Sequence, residues 1–372
     1  MADISETTNR IKNMNNKMKM YALTALKFAM EFAKKLEPSL LTVIIFIFVS
    51  AFLIYVFINI KKESNNCKRI NKTPMNTKII SMDSDGYVLD INNTTLNKTF
   101  IRTAYNCCCS GTFKNDYVSY CALINCAKQG VRALDFTVYS LNGKPVIGAS
   151  TLITNNYKET YNSLPFAETM SQVYKYFIAS AMNCPNINDP LFLIFRVQSL
   201  LKNTYDDMAS VLNSTFGGAS LYGNMIYYIK REVDVPLQSV LLKELVKRVV
   251  IIIDLTAIQK DLYAKSKLSI MSALDVGNGE NIIYRESDLT QQDPASMKKA
   301  ENLSILYPDF SNTSNNYDFR SGLDQRINFI GLSFQETDAY LKEYNKLFAS
   351  SAFIDVNSEQ VNNLIKGMPK PT

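Results

Sequence analysis

The residues in this chain with the most evident chemical potential are its cysteines, and the chemistry open to them is limited by what is missing. Cys107, Cys108, Cys109, Cys121 and Cys126 fall within one short segment, while Cys67 and Cys184 stand apart. A thiolate at Cys107, Cys108 or Cys109 is the one evident nucleophile. The chain contains no histidine. That removes Ser-His-Asp and Cys-His catalysis, histidine acid-base chemistry and every zinc site that needs imidazole. A reactive thiolate would need a lysine, an arginine or a helix dipole to lower its pKa. No Cys-x-x-Cys pair occurs, so a zinc ribbon is disfavoured and no metal is expected. The other reading of the cysteines is a local disulfide or burial as small hydrophobes, with one thiol left over from an odd total of 7.

The elements that must position these residues begin with a membrane anchor. Leu40 to Ile60 holds no charge, glycine or proline. A helix of about 20 such residues spans a hydrocarbon core of roughly 30 Å. A buried core helix fits less well, because the run is uniformly apolar and stops at Lys61-Lys62. A cleaved signal peptide fails, because the run is too long, starts too late and lacks a small-residue cleavage site. Before it, Leu23, Leu26, Met30 and Ala33 recur at helical spacing opposite Lys17, Lys27 and Lys34. This basic amphipathic pattern suits a lipid surface or a protein partner. The expected organisation is an amphipathic segment at 1–38, a transmembrane helix at 39–60, a polar stalk with short strands at 61–98 and a barrel at 99–372.

Sidedness has signals in both directions. Lys61, Lys62, Lys68, Arg69, Lys72 and Lys78 after the span favour a cytosolic C-terminal domain. Asn-x-Ser/Thr sequons at Asn71, Asn92, Asn93, Asn97, Asn213, Asn302 and Asn312, and the clustered cysteines, suit an oxidising face. The expectation leans cytosolic. The net charge of +6 is too mild and dispersed for a nucleic-acid partner.

Behind the anchor, apolar runs alternate with helical patterns. Strands are expected at Val131–Tyr139, Leu191–Val197, Arg248–Leu255, Asn281–Tyr284, Leu303–Tyr307, Ile327–Phe334 and Ala352–Val356. Helices are expected at Pro165–Met182, Leu237–Lys247, Thr290–Glu301 and Glu336–Phe348. Runs buried on both faces and alternating with helices imply an α/β fold with a parallel sheet. The length from Thr99 onward suits a (β/α)8 TIM-type barrel of about 250 residues. An open doubly wound sheet would want a glycine-rich phosphate loop after its first strand, and none is present.

The order of these segments resembles the catalytic barrel of phosphoinositide-specific phospholipase C. Ala104-Tyr105-Asn106 stands where that family has Ser-His-Asn. Gly130 to Asp135 is similar to its Gly-Cys-Arg…Glu-Leu-Asp strand, and Asn142 to Ile147 to the turn before its second histidine. Pro190 to Ser199 resembles the strand ending in Glu-Asn-His. Leu306-Tyr307-Pro308 with Ser314 to Tyr317 is similar to Tyr-Pro…Ser-Ser-Asn-Tyr, and Ile330 to Gln335 to Val-Ala-Leu-Asn-Phe-Gln.

The resemblance implies a phosphodiesterase that uses two histidines, calcium and phosphate-binding lysines. This chain departs at each. Tyr105 and Ala149 fall at the histidine positions. Asn106 and Asp135 remain of the calcium ligands, while Ala133 and Arg196 replace the others. Ile251-Ile252-Ile253-Asp254 replaces the lysine strand, and Asn312 falls near the family's arginine; Ser287 and Tyr317 are retained. Calcium wants six to eight oxygen ligands, so its site is expected to be lost and an Arg196–Asp135 ion pair to form instead. A tyrosine of ordinary pKa near 10 is a poor base at neutral pH.

The resulting expectation is a membrane-anchored, catalytically inactive barrel that serves binding or assembly. Its partners would be the bilayer, a protein of a capsid or membrane complex, or a phospholipid headgroup held without turnover. The residue bias, the anchor and the degraded enzyme fold together resemble large DNA viruses, which points to a virion internal membrane or a host intracellular membrane. The alternative is a hydrolase with rewired, cysteine-dependent chemistry.

Overall fold

A computed structural model describes residues 27, 38–153, 156–218, 223–227, 235–256, 258–279, 281–291 and 302–367. The chain divides into two units, Met1–Lys61 and Lys62–Thr372. In the first, the amphipathic segment at 1–38 lies outside the described residues apart from Lys27 and Pro38. The helix Pro38–Ile70 begins there and ends in the second unit. Its stretch Thr42–Ile70 has a mean hydropathy of 2.8 over its most apolar window and is long and apolar enough to cross a membrane.

The expected stalk at 61–98 is corrected. Residues up to Ile70 are helical, and no strand follows before Thr99 among the described residues. Thr95 makes only an isolated bridge to Leu241. The helix runs past Lys61 because residues 61–70 lack glycine and proline and because its end is held by tertiary contacts. Lys62 Nζ lies 3.1 Å from Asp116. Asn66 Nδ2 donates to Asp116 Oδ1 at 2.9 Å. Cys67 is disulfide-bonded to Cys121, and Ile70 is buried.

Among the described residues, the second unit is built on eleven strands: β1 Thr99–Ala104, β2 Ala133–Leu141, β3 Lys144–Gly148, β4 Leu164–Pro165, β5 Leu191–Val197, β6 Val249–Asp254, β7 Leu274–Val276, β8 Ile282–Arg285, β9 Ser304–Tyr307, β10 Phe329–Leu332 and β11 Phe353–Asp355. Eight of them run β7-β6-β5-β2-β1-β10-β9-β8. Every pairing along that path is parallel. Among the described residues, the end strands β7 and β8 are not paired with each other, which leaves one open seam in a nearly closed barrel. Strands β1, β5 and β6 are buried along their whole length, as strands covered on both faces must be. Helices Tyr120–Lys128, Phe166–Phe177, Lys202–Phe216 and Ala339–Leu347 follow β1, β4, β5 and β10.

Several expectations shift in detail. Leu237–Lys247 is not one helix but a short 3-10 turn at Leu237–Ser239 and a four-residue helix at Leu242–Leu245, preceded by Pro236. Ala352–Val356 contributes β11, which lies antiparallel on β1 and is not a barrel stave. Its Phe353 ring centroid sits 6.3 Å from that of Phe192, near the start of β5. Most of Thr290–Glu301 lies outside the described residues. The hairpin β2–β3 turns on Asn142 and Gly143, both at positive φ (50° and 76°), the two-residue geometry that favours Asn-Gly.

Candidate functional site

Active residues of such barrels sit at the C-terminal ends of the strands. Here that end is occupied by a buried guanidinium. Arg196, near the end of β5, donates from Nε to Asp135 Oδ1 at 2.9 Å and from Nη2 to Asp135 Oδ2 at 2.6 Å. Nη2 also donates to Asn106 Oδ1 at 2.7 Å. Asp135 is fully buried and Arg196 only 5% exposed. The bidentate ion pair expected from the sequence therefore forms in full. Burial opposes the charge on Arg196, but the Asp135 carboxylate outweighs it and holds the guanidinium pKa above its ordinary value.

Asn106 completes the arrangement. Its backbone sits at φ 43°, in the left-handed region that asparagine tolerates better than most residues. This turn lets its N–H donate to Asp135 Oδ2 at 2.9 Å, while its Oδ1 also accepts from Thr137 Oγ1 at 2.9 Å. The void beside Asn106, Asp135 and Thr137 is too small to admit a water molecule.

Around this pair runs an alternating stack of cations and rings. Arg196 lies 4.6 Å from the Tyr105 ring centroid and 5.2 Å from Tyr307. Arg285 lies 5.1 Å from the Tyr307 ring centroid and 3.9 Å from that of Phe310. Tyr105 OH accepts from Arg196 Nη1 at 3.4 Å and from Arg285 Nη1 at 3.5 Å. Arg285 Nη1 also donates to the Pro308 carbonyl at 2.7 Å. Such contacts are worth about 1–2 kcal/mol each when desolvated. The stack fills the mouth from Asp135 out to the half-exposed Phe310. Gly331 permits this: a Cβ there would come within 3.3 Å of Tyr105.

The remaining candidates divide. Ala149 and Ala133 are buried methyl groups with no proton to transfer. Tyr317 OH reaches the Leu306 and Gly331 carbonyls at 3.3 and 3.2 Å, which places it in the barrel wall. Burial pushes its pKa well up. Ser287 Oγ donates to Asp309 Oδ1 at 2.9 Å. Asn312 is exposed on the loop after β9 and is not part of the Arg196 network.

The cysteines separate differently from their spacing. Cys121 leaves the cluster to bond Cys67, which the sequence had left apart. Cys107, Cys108, Cys109, Cys126 and Cys184 are free and buried. Burial pushes the Cys107, Cys109 and Cys126 thiols up, with neighbouring cysteines adding to it. A buried thiol held protonated is the opposite of an activated nucleophile.

Sequence reasoning did not single out Tyr307, Arg285, Phe310 or Thr137 as parts of one site. It also passed over Asp254 except as a lysine replacement. Asp254 ends the apolar run of β6, a charged residue at the mouth end of a stave, and that position was the available signal. Its carboxyl is buried, accepts from Thr256 N at 2.8 Å and Oγ1 at 2.6 Å, and leaves Oδ2 without a partner. Burial raises its pKa.

The donor set does not fit calcium. Asn106 Oδ1 and both Asp135 oxygens already accept from Arg196, and a fixed guanidinium repels a second cation. No group of three His, Cys, Asp or Glu suited to a metal occurs among the described residues.

No protein-family description matches the chain, and no curated protein matches it. Solved structures do. PLC21 of L. pealei superposes with a TM-score of 0.55 at 15% identity, over 72% of this chain and 38% of that one. PLC21 of S. officinalis gives 0.54 at 15%, over 70% and 37%. The chain thus spans less than two fifths of the length of those proteins. A calcium-dependent phosphoinositol-specific phospholipase C from Pseudomonas sp superposes more loosely, at 0.39 and 13% identity over 66% of this chain and 93% of that one. The barrel has the fold of phospholipase C-like phosphodiesterases.

Proposed function

We propose that the protein is a membrane-anchored, phospholipase C-like pseudoenzyme whose barrel serves as a docking body and does not hydrolyse phosphodiesters. A shared fold carries no activity by itself; the site must. What supports the reading is Arg196: its guanidinium takes up the carboxylate and amide oxygens that the resemblance assigns to a metal. Tyr105 and Ala149 stand where the resemblance places two histidines, and losing both proton carriers costs roughly 10²–10⁴-fold each. The apolar helix supplies the anchor, and the bilayer is the first partner. The filled mouth leaves outer surfaces of the barrel for a protein partner.

The test is phosphatidylinositol hydrolysis on mixed phospholipid vesicles with millimolar calcium. The wild-type chain is expected at the uncatalysed rate. A triple variant, Tyr105→His with Ala149→His and Arg196→Glu, restores the three departures that matter most and is expected to show the first measurable turnover. Wild-type hydrolysis well above background ends the proposal. Alkaline carbonate extraction tests the anchor, and release of the chain from membranes ends that part.

A further inference from the structure

We infer that the barrel lies on the oxidising, extracytoplasmic side of its membrane and carries N-linked glycans at Asn312 and at Asn92 or Asn93. The inference rests on the membrane anchoring proposed above and not on the loss of catalysis.

Two independent observations carry it. The first is the disulfide between Cys67 and Cys121, whose sulfurs come from segments 54 residues apart. Its formation moves two electrons and two protons from the thiols to a disulfide-type oxidant. Cytosolic thiol buffers keep such pairs reduced, whereas extracytoplasmic compartments hold them oxidised. The second is the surface placement of the sequons. Asn312 stands exposed on the loop after β9, between Ser311 and Thr313, whose hydroxyls bond each other at 3.1 Å. Asn92 and Asn93 are exposed in a turn, where Asn93 Nδ2 bonds Asp90 Oδ2 at 2.8 Å. A bulky hydrophilic substituent is tolerated at such positions. In the transfer, Asn Nδ2 attacks C1 of an oligosaccharide carried on a lipid pyrophosphate. The Nδ2–C1 bond forms, the C1–O bond to pyrophosphate breaks, and Nδ2 loses one proton to a base.

The positive charges after the span argue for the opposite side. That bias is a matter of a few residues across the helix, and it competes with a covalent bond that the cytosol would reduce. Of those charges, Lys62 and Arg69 are also taken up by Asp116 at 3.1 Å and Glu336 at 3.8 Å.

The full chain is translated into sealed microsomes. The expected results are protection of the barrel from added protease, an endoglycosidase-sensitive mobility shift in two steps, and loss of one step in Asn312→Gln and of the other in an Asn92→Gln, Asn93→Gln variant. Digestion of the barrel by external protease overturns the sidedness and the glycans together. Protection without a glycosidase-sensitive shift overturns the acceptor assignment. Carbonate extraction, run in parallel, isolates failure of the anchor from failure of this inference.

Discussion

Replacing Arg196 by methionine isolates the central interaction of the barrel mouth. The substitution keeps most of the side-chain volume and removes the charge. Asp135, fully buried, then loses the partner of a bidentate pair at 2.9 and 2.6 Å. Asn106 Oδ1 loses its 2.7 Å donor as well. Breaking one side of a buried pair costs about 3–5 kcal/mol, against a total stability of about 5–15 kcal/mol. Unfolding of the full chain in detergent micelles can be followed by tyrosine fluorescence, since the chain has 21 tyrosines and no tryptophan. The expected Tm falls by roughly 5–15 °C.

A double variant gives a sharper signature. Adding Asp135→Asn to Arg196→Met should recover stability, because it removes the buried charge left without a partner, although Asp135→Asn alone costs it. A loss below about 1 kcal/mol in Arg196→Met, with no recovery in the double variant, would show that the pair contributes little.

Four further outcomes follow from the same geometry. Asp254→Asn should stabilise the chain at neutral pH: the raised carboxyl pKa means its favourable state is complete below the unfolded pKa and lost as pH rises, so the gain should vanish below about pH 4. Denaturation curves at two pH values check this. Cys67→Ser should cost about 4 kcal/mol by the chain-entropy relation for a separation of 54 residues, and reductant should bring the wild type to the level of the variant. Millimolar calcium should leave Tm unchanged, whereas a site filled to 100 times its Kd would add about 2.7 kcal/mol. Iodoacetamide at pH 8 should leave Cys107, Cys109 and Cys126 unlabelled in the folded chain and label them on unfolding, read by peptide mass mapping.

The sequence alone pointed to the barrel and to one apolar helix long enough to cross a membrane. Runs such as Leu191–Val197 and Arg248–Leu255 are short, β-branched or aromatic and apolar except near their ends, which suits strands covered on both faces, and their alternation with helices leaves few parallel topologies. The charge-free run Leu40–Ile60 shows in the sequence that it is long and apolar enough to cross a membrane. The Arg196–Asp135 pair followed from the resemblance, which put an arginine beside the retained Asp135 where the family holds its metal. The tertiary structure decided what depends on distant residues meeting. Cys67 finds Cys121 because residues 62–70 stay helical and pack along the barrel, which no spacing rule encodes. Arg285, Tyr307 and Phe310 join Arg196 and Tyr105 because β8, β9 and β5 converge at one mouth, although they are far apart in the chain. Side-chain periodicity fixes which face of a strand is buried; only closure of the sheet fixes which buried faces touch.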